Sequence, residues 1–368
     1  MDWTKLTGII LALGAVASTL AFGGVETLGF APVEAAVAVL AVIQFWRKGW
    51  PSVSRLTLCV LGVTVAIPFL QLLPLPAGMV SAVSPQRVAL ARAVFSSIVP
   101  LGKNFTLTVN SFETQVAILK LLCYVLVFLL AFQDYQLRHR RTVLVVTLIL
   151  LGVFEALYGS VQYLTGWQYI FTYAKQFGTD SATGTYINRN HFAGLLEMVL
   201  PFVLARILIR KRTGENTPHF RWKEIIVSPQ SSLFLRETIL FTVITVALVF
   251  SLSRMGIFAA VVGALVVAGI AFFQTRRRSA LVLLFLVLAL PIAYTAWIGL
   301  NPVVERYMLL GQQAAFEQER WPLWRDNMAL IRDYPLLGTG LGTYRWMNAH
   351  YQTYLLWGIF EHAHNDYM

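Results

Sequence analysis

Four stretches hold the residue types that could bind or transfer a charged group. They are Gly184-Thr185-Tyr186-Ile187-Asn188-Arg189-Asn190-His191-Phe192-Ala193-Gly194, Ser251-Leu252-Ser253-Arg254-Met255-Gly256, the run opened by Arg320-Trp321-Pro322-Leu323-Trp324, and the end, Glu361-His362-Ala363-His364-Asn365-Asp366-Tyr367-Met368. A guanidinium is a planar fork of N–H donors that matches two oxygens of a phosphate at once. Arg189, Arg254 and Arg320 would together suit a phosphate or pyrophosphate, and an anionic lipid carrier is the natural ligand. A neutral histidine near pH 7 can take a proton from a hydroxyl nucleophile. His362 and His364 are therefore candidates for a general base acting on a glycan acceptor, with a structural role and a metal-ligand role as the alternatives. Separated by one residue, they face opposite ways on a strand and lie roughly 200° apart on a helix, so one of them at most faces a pocket.

Each of these residues has a plainer reading. An arginine at the end of a membrane helix commonly snorkels to the headgroups. Two features weigh against that here. Arg254 sits in a turn so short that its side chain must point into the bundle or lie at its rim. Arg189 is flanked by Asn188, Asn190 and His191, polar groups that are costly at a lipid-facing helix start. The pair Glu317 and Glu319 reads as solvating or capping a helix rather than holding Mg²⁺. Glu155 and Glu197 fall inside apolar runs, where an acid calls for a function by default, and hydrogen bonding to the polar helix starts is the favoured reading. Gly338, Gly340 and Gly342 could cradle a phosphate, but no strand precedes them and no lysine opens a helix after them, which favours a turn.

The elements that must carry these residues are helices in a membrane. The chain is 57% hydrophobic and only 13% charged over 368 residues, with a mean hydropathy of +0.65, which exceeds what a water-soluble domain carries. Continuous apolar runs near the length needed to cross a bilayer predict nine spans: Leu6–Phe22, Val33–Trp46, Leu56–Leu73, Gln115–Gln133, Thr142–Leu164, His191–Ile209, Thr238–Ser251, Met255–Phe273 and Ala280–Leu300. Lipid cannot satisfy backbone amides, so continuous rather than alternating runs mean helices, and the fold class is an all-α, polytopic transmembrane bundle. The first run could instead be a cleaved signal, but Lys5 alone supports one, so a retained helix is the simpler reading. Cys59 and Cys123 both fall inside spans and read as small packing residues, not a disulfide pair.

Orientation follows from the basic residues. More than half of the 29 Lys and Arg gather in alternate short breaks, among them Arg47, Lys48, Arg138, Arg140, Arg141, Arg206, Arg236 and Arg276 to Arg278, which puts the N-terminus inside. Arg189, Arg254 and everything after Leu300 are then outside. The net charge of +11 is accounted for by anchoring to anionic headgroups, and no basic patch on a soluble face speaks for nucleic acid. The chain divides into N-terminal spans (1–183), spans carrying the outer arginine motifs (184–300) and an outer loop (301–368). In that loop Trp321–Arg332 reads as an amphipathic helix near the interface, with Trp324, Met328 and Ile331 on its apolar side and Pro335 as its stop.

The four stretches, together with Tyr334-Pro335-Leu336-Leu337-Gly338-Thr339-Gly340-Leu341-Gly342-Thr343-Tyr344, resemble the O-antigen ligase and O-antigen polymerase family of bacterial inner membranes. The resemblance covers roughly residues 184 to 368. It implies a GT-C-type glycosyltransferase that moves a glycan from an undecaprenyl-pyrophosphate carrier to an acceptor sugar, a growing glycan or lipid A core, in the periplasm and without a metal or other cofactor. By that resemblance Arg189 and Arg254 bind the donor pyrophosphate, Arg320 contacts it or holds the loop closed, and His364, with His362 second, is the base. Asn190, His191 and Asn365 join them as substrate-binding positions. Family members continue past the His-Asn motif into further spans whereas this chain stops at Met368, so a C-terminally truncated piece is expected. The rival class is a transporter of lipid-linked glycans, but such proteins show internal repeats and a polar site at the bilayer midplane, and neither is visible here.

Overall fold

The computed structural model describes residues 3–95, 104–135, 138–176, 178–208, 229–275 and 310–353, with Phe285 and Ala289 as isolated positions. It is all-helical apart from two short two-stranded ladders. Seven of the described helices are long and apolar enough to cross a membrane, and Thr7–Leu20 is a shorter apolar one. Eight of the nine predicted spans coincide with these helices; the ninth, Ala280–Leu300, lies outside the described residues apart from Phe285 and Ala289. The chain falls into two compact units, residues 1–37 with 134–307 and residues 38–133 with 308–368.

The first unit contains α1 (Trp3–Leu20), the start of α2 (Thr27–Lys48), α7 (Arg138–Thr165), α8 (Arg189–Leu208), α9 (Pro229–Phe250) and α10 (Arg254–Thr275). Its core is the side of α8 that carries Phe192, Leu196, Val199, Val203 and Leu204, packed on Ile244, Ala247 and Leu248 of α9. On α10 the buried positions Gly256, Ala260, Ala264 and Ala268 recur every fourth residue. That row of small residues lets α10 approach α8 closely, as helices do where lipid offers no hydrophobic drive to associate. A Cβ on Gly256 would lie 2.7 Å from that of Ala193. On its other side Phe258, Val262, Leu265, Val266 and Phe273 are exposed. An apolar helix that buries alanines and exposes phenylalanines is built for lipid.

The second unit holds the remainder of α2, α3 (Arg55–Leu72), α4 (Ala77–Val83), α5 (Pro85–Phe95), α6 (Ser111–Tyr135), α11 (Leu310–Asp333) and α12 (Tyr344–Tyr351). β1 (Leu75–Pro76) pairs antiparallel with β2 (Asn104–Phe105) beside the short helices. α3 starts at a Ser54 cap, whose Oγ accepts from Thr57 N at 3.1 Å, and it buries little of its surface. Cys59 is exposed on α3, whereas Cys123 is buried on α6, so the packing role holds for the second cysteine only.

α11 is longer than the expected Trp321–Arg332 and passes through Pro322. Leu323, Asp326, Asn327 and Leu330 are buried, while Met328 and Ile331 are exposed. Pro335 follows the helix end by two residues, as expected.

Candidate functional site

Arg189 and Arg254 open α8 and α10, and each helix start is built by a side-chain cap. Asn188 Oδ1 accepts from Asn190 N at 2.8 Å, and the Asn188 carbonyl accepts from His191 N and Phe192 N. In the Ser-x-Ser-Arg turn, Ser251 Oγ donates to Leu248 O at 2.6 Å at the close of α9 and accepts from Ser253 N. Ser253 Oγ then accepts from Gly256 N at 3.3 Å. Both serines are buried, and Leu252 between them takes a left-handed backbone (φ 55°), which makes the reversal tight. These are N-cap geometries, so Asn188 and Ser253 satisfy amides that the first turn leaves open.

The two arginines thus occupy the same structural position in two packed helices. The contact between Gly256 and Ala193 keeps these helix starts close at one end of the unit. Arg254 is exposed at the rim, Arg189 is half-buried, and Asn190 and His191 are exposed beside it. A cation at a helix N-terminus has the wrong sign for the macrodipole and costs about 0.3–1 kcal/mol. Here that arrangement occurs twice, at the starts of two packed helices.

The loop that leads into α8 is held from below. Glu155 of α7 is fully buried; its Oε2 accepts from Thr185 N at 2.8 Å, and its Oε1 lies 2.6 Å from Thr185 Oγ1. Thr185 Oγ1 also donates to Thr19 O at the end of α1. Gln162 Nε2 donates to Gly184 O at 2.9 Å, and Ala182 N donates to Phe250 O at 2.9 Å. The ends of α1, α7 and α9 and the starts of α8 and α10 therefore meet at one face. Gly184 has φ 57°, and a Cβ there would strike Glu155 Oε2 and the Phe192 ring. The hydrogen-bonding role expected of Glu155 is what the geometry provides. Glu197 is half-buried, and no hydrogen bond of its carboxylate is found among the described residues.

Lys175 in the same loop is a buried cation without a carboxylate partner among the described residues. Its Nζ donates to Gln168 Oε1 at 2.7 Å and to Ser181 O at 3.1 Å, and burial pushes its pKa down to about 8. Burial likewise raises the Tyr186 phenol.

In the second unit the glycine-rich segment lies against the start of α6. Val109 N donates to Thr339 O at 2.9 Å, Thr114 Oγ1 to Leu341 O at 3.0 Å, and Gln71 bridges Leu337 O and Leu341 N. A Cβ on Gly340 (φ 112°) would fall on Thr108 Oγ1, and one on Gly342 would lie 2.9 Å from Ala117 Cβ. These glycines serve close approach of the chain to a helix, which is the turn reading rather than a phosphate cradle. Beside them Arg87, buried on α5, donates from Nε to Thr108 O at 3.1 Å, and burial lowers its pKa. The Tyr334 phenol is raised by burial, against the opposing pull of Arg87. Asp326 accepts from Thr353 N and Oγ1, both at 2.9 Å, Tyr344 OH donates to Asn327 Oδ1 at 2.8 Å, and Tyr351 OH donates to Asp333 at 2.5 Å. Sequence reasoning missed this network, whose residues on α11 are Asp326, Asn327 and Asp333.

Arg320 lies in α11, in the second unit, and His362, His364 and Asn365 lie outside the described residues. Of the predicted site residues the structure therefore brings together Arg189, Asn190, His191 and Arg254. Residues 239–368 match the model of the O-antigen ligase family. This stretch is similar to O-antigen ligases. It contains Arg254, Arg320 and the His-Asn motif, and begins inside α9. No curated protein and no solved structure matches the chain. With seven helices among the described residues long and apolar enough to cross a membrane, the chain is a multi-pass membrane protein whose C-terminal third is similar to the O-antigen ligase family.

Proposed function

We propose that the protein transfers a glycan from an undecaprenyl-pyrophosphate carrier to an acceptor hydroxyl on the periplasmic side of the bacterial inner membrane. The observation that carries this reading is the pair Arg189 and Arg254, each the first residue of a capped helix, with the two helices packed at their starts. Arg189 and Arg254 bind the pyrophosphate, and Arg320 contacts it or closes the loop over it. The acceptor oxygen attacks the anomeric carbon while His364, with His362 as second candidate, takes its proton. The bond from that carbon to the pyrophosphate oxygen breaks, and the arginines stabilise the charge that leaves. Displacement in one step inverts the anomeric centre. Asn190, His191 and Asn365 line the substrates, and no metal takes part. The acceptor is lipid A core in a ligase and a growing glycan in a polymerase of the same family.

Transfer from the lipid-linked donor in proteoliposomes, with EDTA present, tests this directly. Wild-type protein is expected to transfer and His364→Ala to lose transfer. Arg254→Lys keeps the charge but loses the fork, and is expected to fall at least about tenfold in rate with membrane insertion intact. Retention at the anomeric carbon by NMR, or abolition by EDTA, rules the mechanism out. Net movement of the donor across the bilayer with no transfer to any acceptor would favour a transporter.

A further inference from the structure

The opposite end of the first unit carries a second arginine pair. Arg206 lies in the last turn of α8, and Arg236 lies early in α9. Both donate from a terminal guanidinium nitrogen to the same oxygen, Glu237 Oε1, each at 2.7 Å. Glu237 is buried, and its Oε2 has no hydrogen-bond partner among the described residues. Two cations on one carboxylate leave a net charge of +1. Each guanidinium has five N–H donors and places one on Glu237, and the side chains of Arg206 and Arg236 remain 38% and 53% exposed.

These three residues line a cavity of about 320 Å³ with Ile207, Leu233 and Phe234. The surface below it is apolar and exposed. Phe202, four residues before Arg206, and Ile239, three after Arg236, share the arginines' helix faces one turn further into the spans and are 40% and 51% exposed. The place is cationic at the end of two spans and apolar immediately inward, which is the profile of an amphiphile with a singly charged head.

We propose that this cavity binds the phosphodiester headgroup of a monoanionic glycerophospholipid of the phosphatidylglycerol kind. The free forks of Arg206 and Arg236 take the phosphate oxygens, and an acyl chain lies over Phe202 and Ile239. A zwitterionic lipid would bring an ammonium group toward two guanidinium groups. Inorganic phosphate has nothing to place on the apolar surface.

Native mass spectrometry and thermal melting of the full chain in detergent test the assignment, with phosphatidylglycerol, phosphatidylcholine or inorganic phosphate added. Phosphatidylglycerol is expected to remain bound and to raise the melting temperature, and the other two to do neither. The variant R206Q/R236Q/E237Q removes the whole ion triad and so leaves no lone buried carboxylate. Its affinity for phosphatidylglycerol is expected to fall about tenfold or more. R206K/R236K keeps the charges and is expected to lose several-fold, because a point charge replaces each fork. Wild-type affinity in either variant overturns the proposal, as does a melting shift from inorganic phosphate equal to that from the lipid. Equal retention of phosphatidylcholine overturns it too.

Discussion

The loop that delivers Arg189 and the loop that follows α11 are both pinned by buried polar groups, but over very different distances along the chain. Around Arg189 and Arg254 the decisive bonds are caps closed within three residues, by Asn188, Ser251 and Ser253, and Glu155 lies 30 residues from its partner Thr185. In the second unit Gln71 and Thr114 hold Leu337 and Leu341 across separations of 266 and 227 residues. Local caps form wherever the helix forms. The long-range bonds exist only when the glycines allow the chain to lie against α6. The first region should therefore yield to substitutions gradually, and the second should fail as a whole.

The largest effect is expected at Gly340. A Cβ there meets Thr108, and φ is 112°, so Gly340→Val combines backbone strain with a clash and should cost about 3 kcal/mol or more. A fall in melting temperature with rapid proteolysis after Asp333 is the expected signature, and a wild-type melting curve would contradict it. Next comes Glu155→Ala, which leaves Thr185 N without its acceptor in a buried site and should cost about 1–3 kcal/mol. Transfer should fall with it, since the loop into Arg189 loses its anchor. Normal transfer would separate the anchor from the site.

Smaller is the effect of Ser253→Ala, a lost cap of about 1 kcal/mol, read by thermal melting. Ser253→Gly should cost only a few tenths. Equal losses for the two would show that the hydroxyl does more than cap.

The smallest expected effect is a pH slope. Burial lowers the Lys175 pKa from 10.5 to about 8, so between those values the unfolded chain binds more protons than the folded one. Stability contributed by this group therefore rises as pH climbs from about 8 toward 10.5. Raised tyrosines such as Tyr334 and Tyr344 act oppositely, and only above pH 10. Lys175→Met should flatten the wild-type rise in melting temperature between pH 8 and 9.5. An identical slope in the variant would assign it elsewhere.

Both arginines of the first region were legible because a membrane helix announces its ends by a change in composition, and Asn188 and Ser253 are capping residue types at those ends. The network on α11 was not legible. Asp326 and Asn327 are buried because their partners Thr353 and Tyr344 arrive from further along the chain, which the periodicity of the helix does not show. Arg87 gave no signal, since the segment holding α4 and α5 has no strong period of either kind. The Gly-x-Gly-x-Gly run reads as a turn from its sequence context, but nothing in that context names Thr108, Thr114 or Ala117 as what it packs against.

Composition and run length alone determined that this chain is a polytopic helical membrane protein, roughly where eight of its spans lie, and which arginines stand at their boundaries, because the bilayer imposes one length and one polarity on every crossing. Tertiary structure decided which helix faces are buried, that Gly256 and Ala193 bring the starts of α8 and α10 together, and that Glu155 holds the loop between them. In a membrane span nearly every residue is apolar, so hydrophobicity no longer marks the inner face, and close approach of small residues and hydrogen bonding of buried polar groups do so instead.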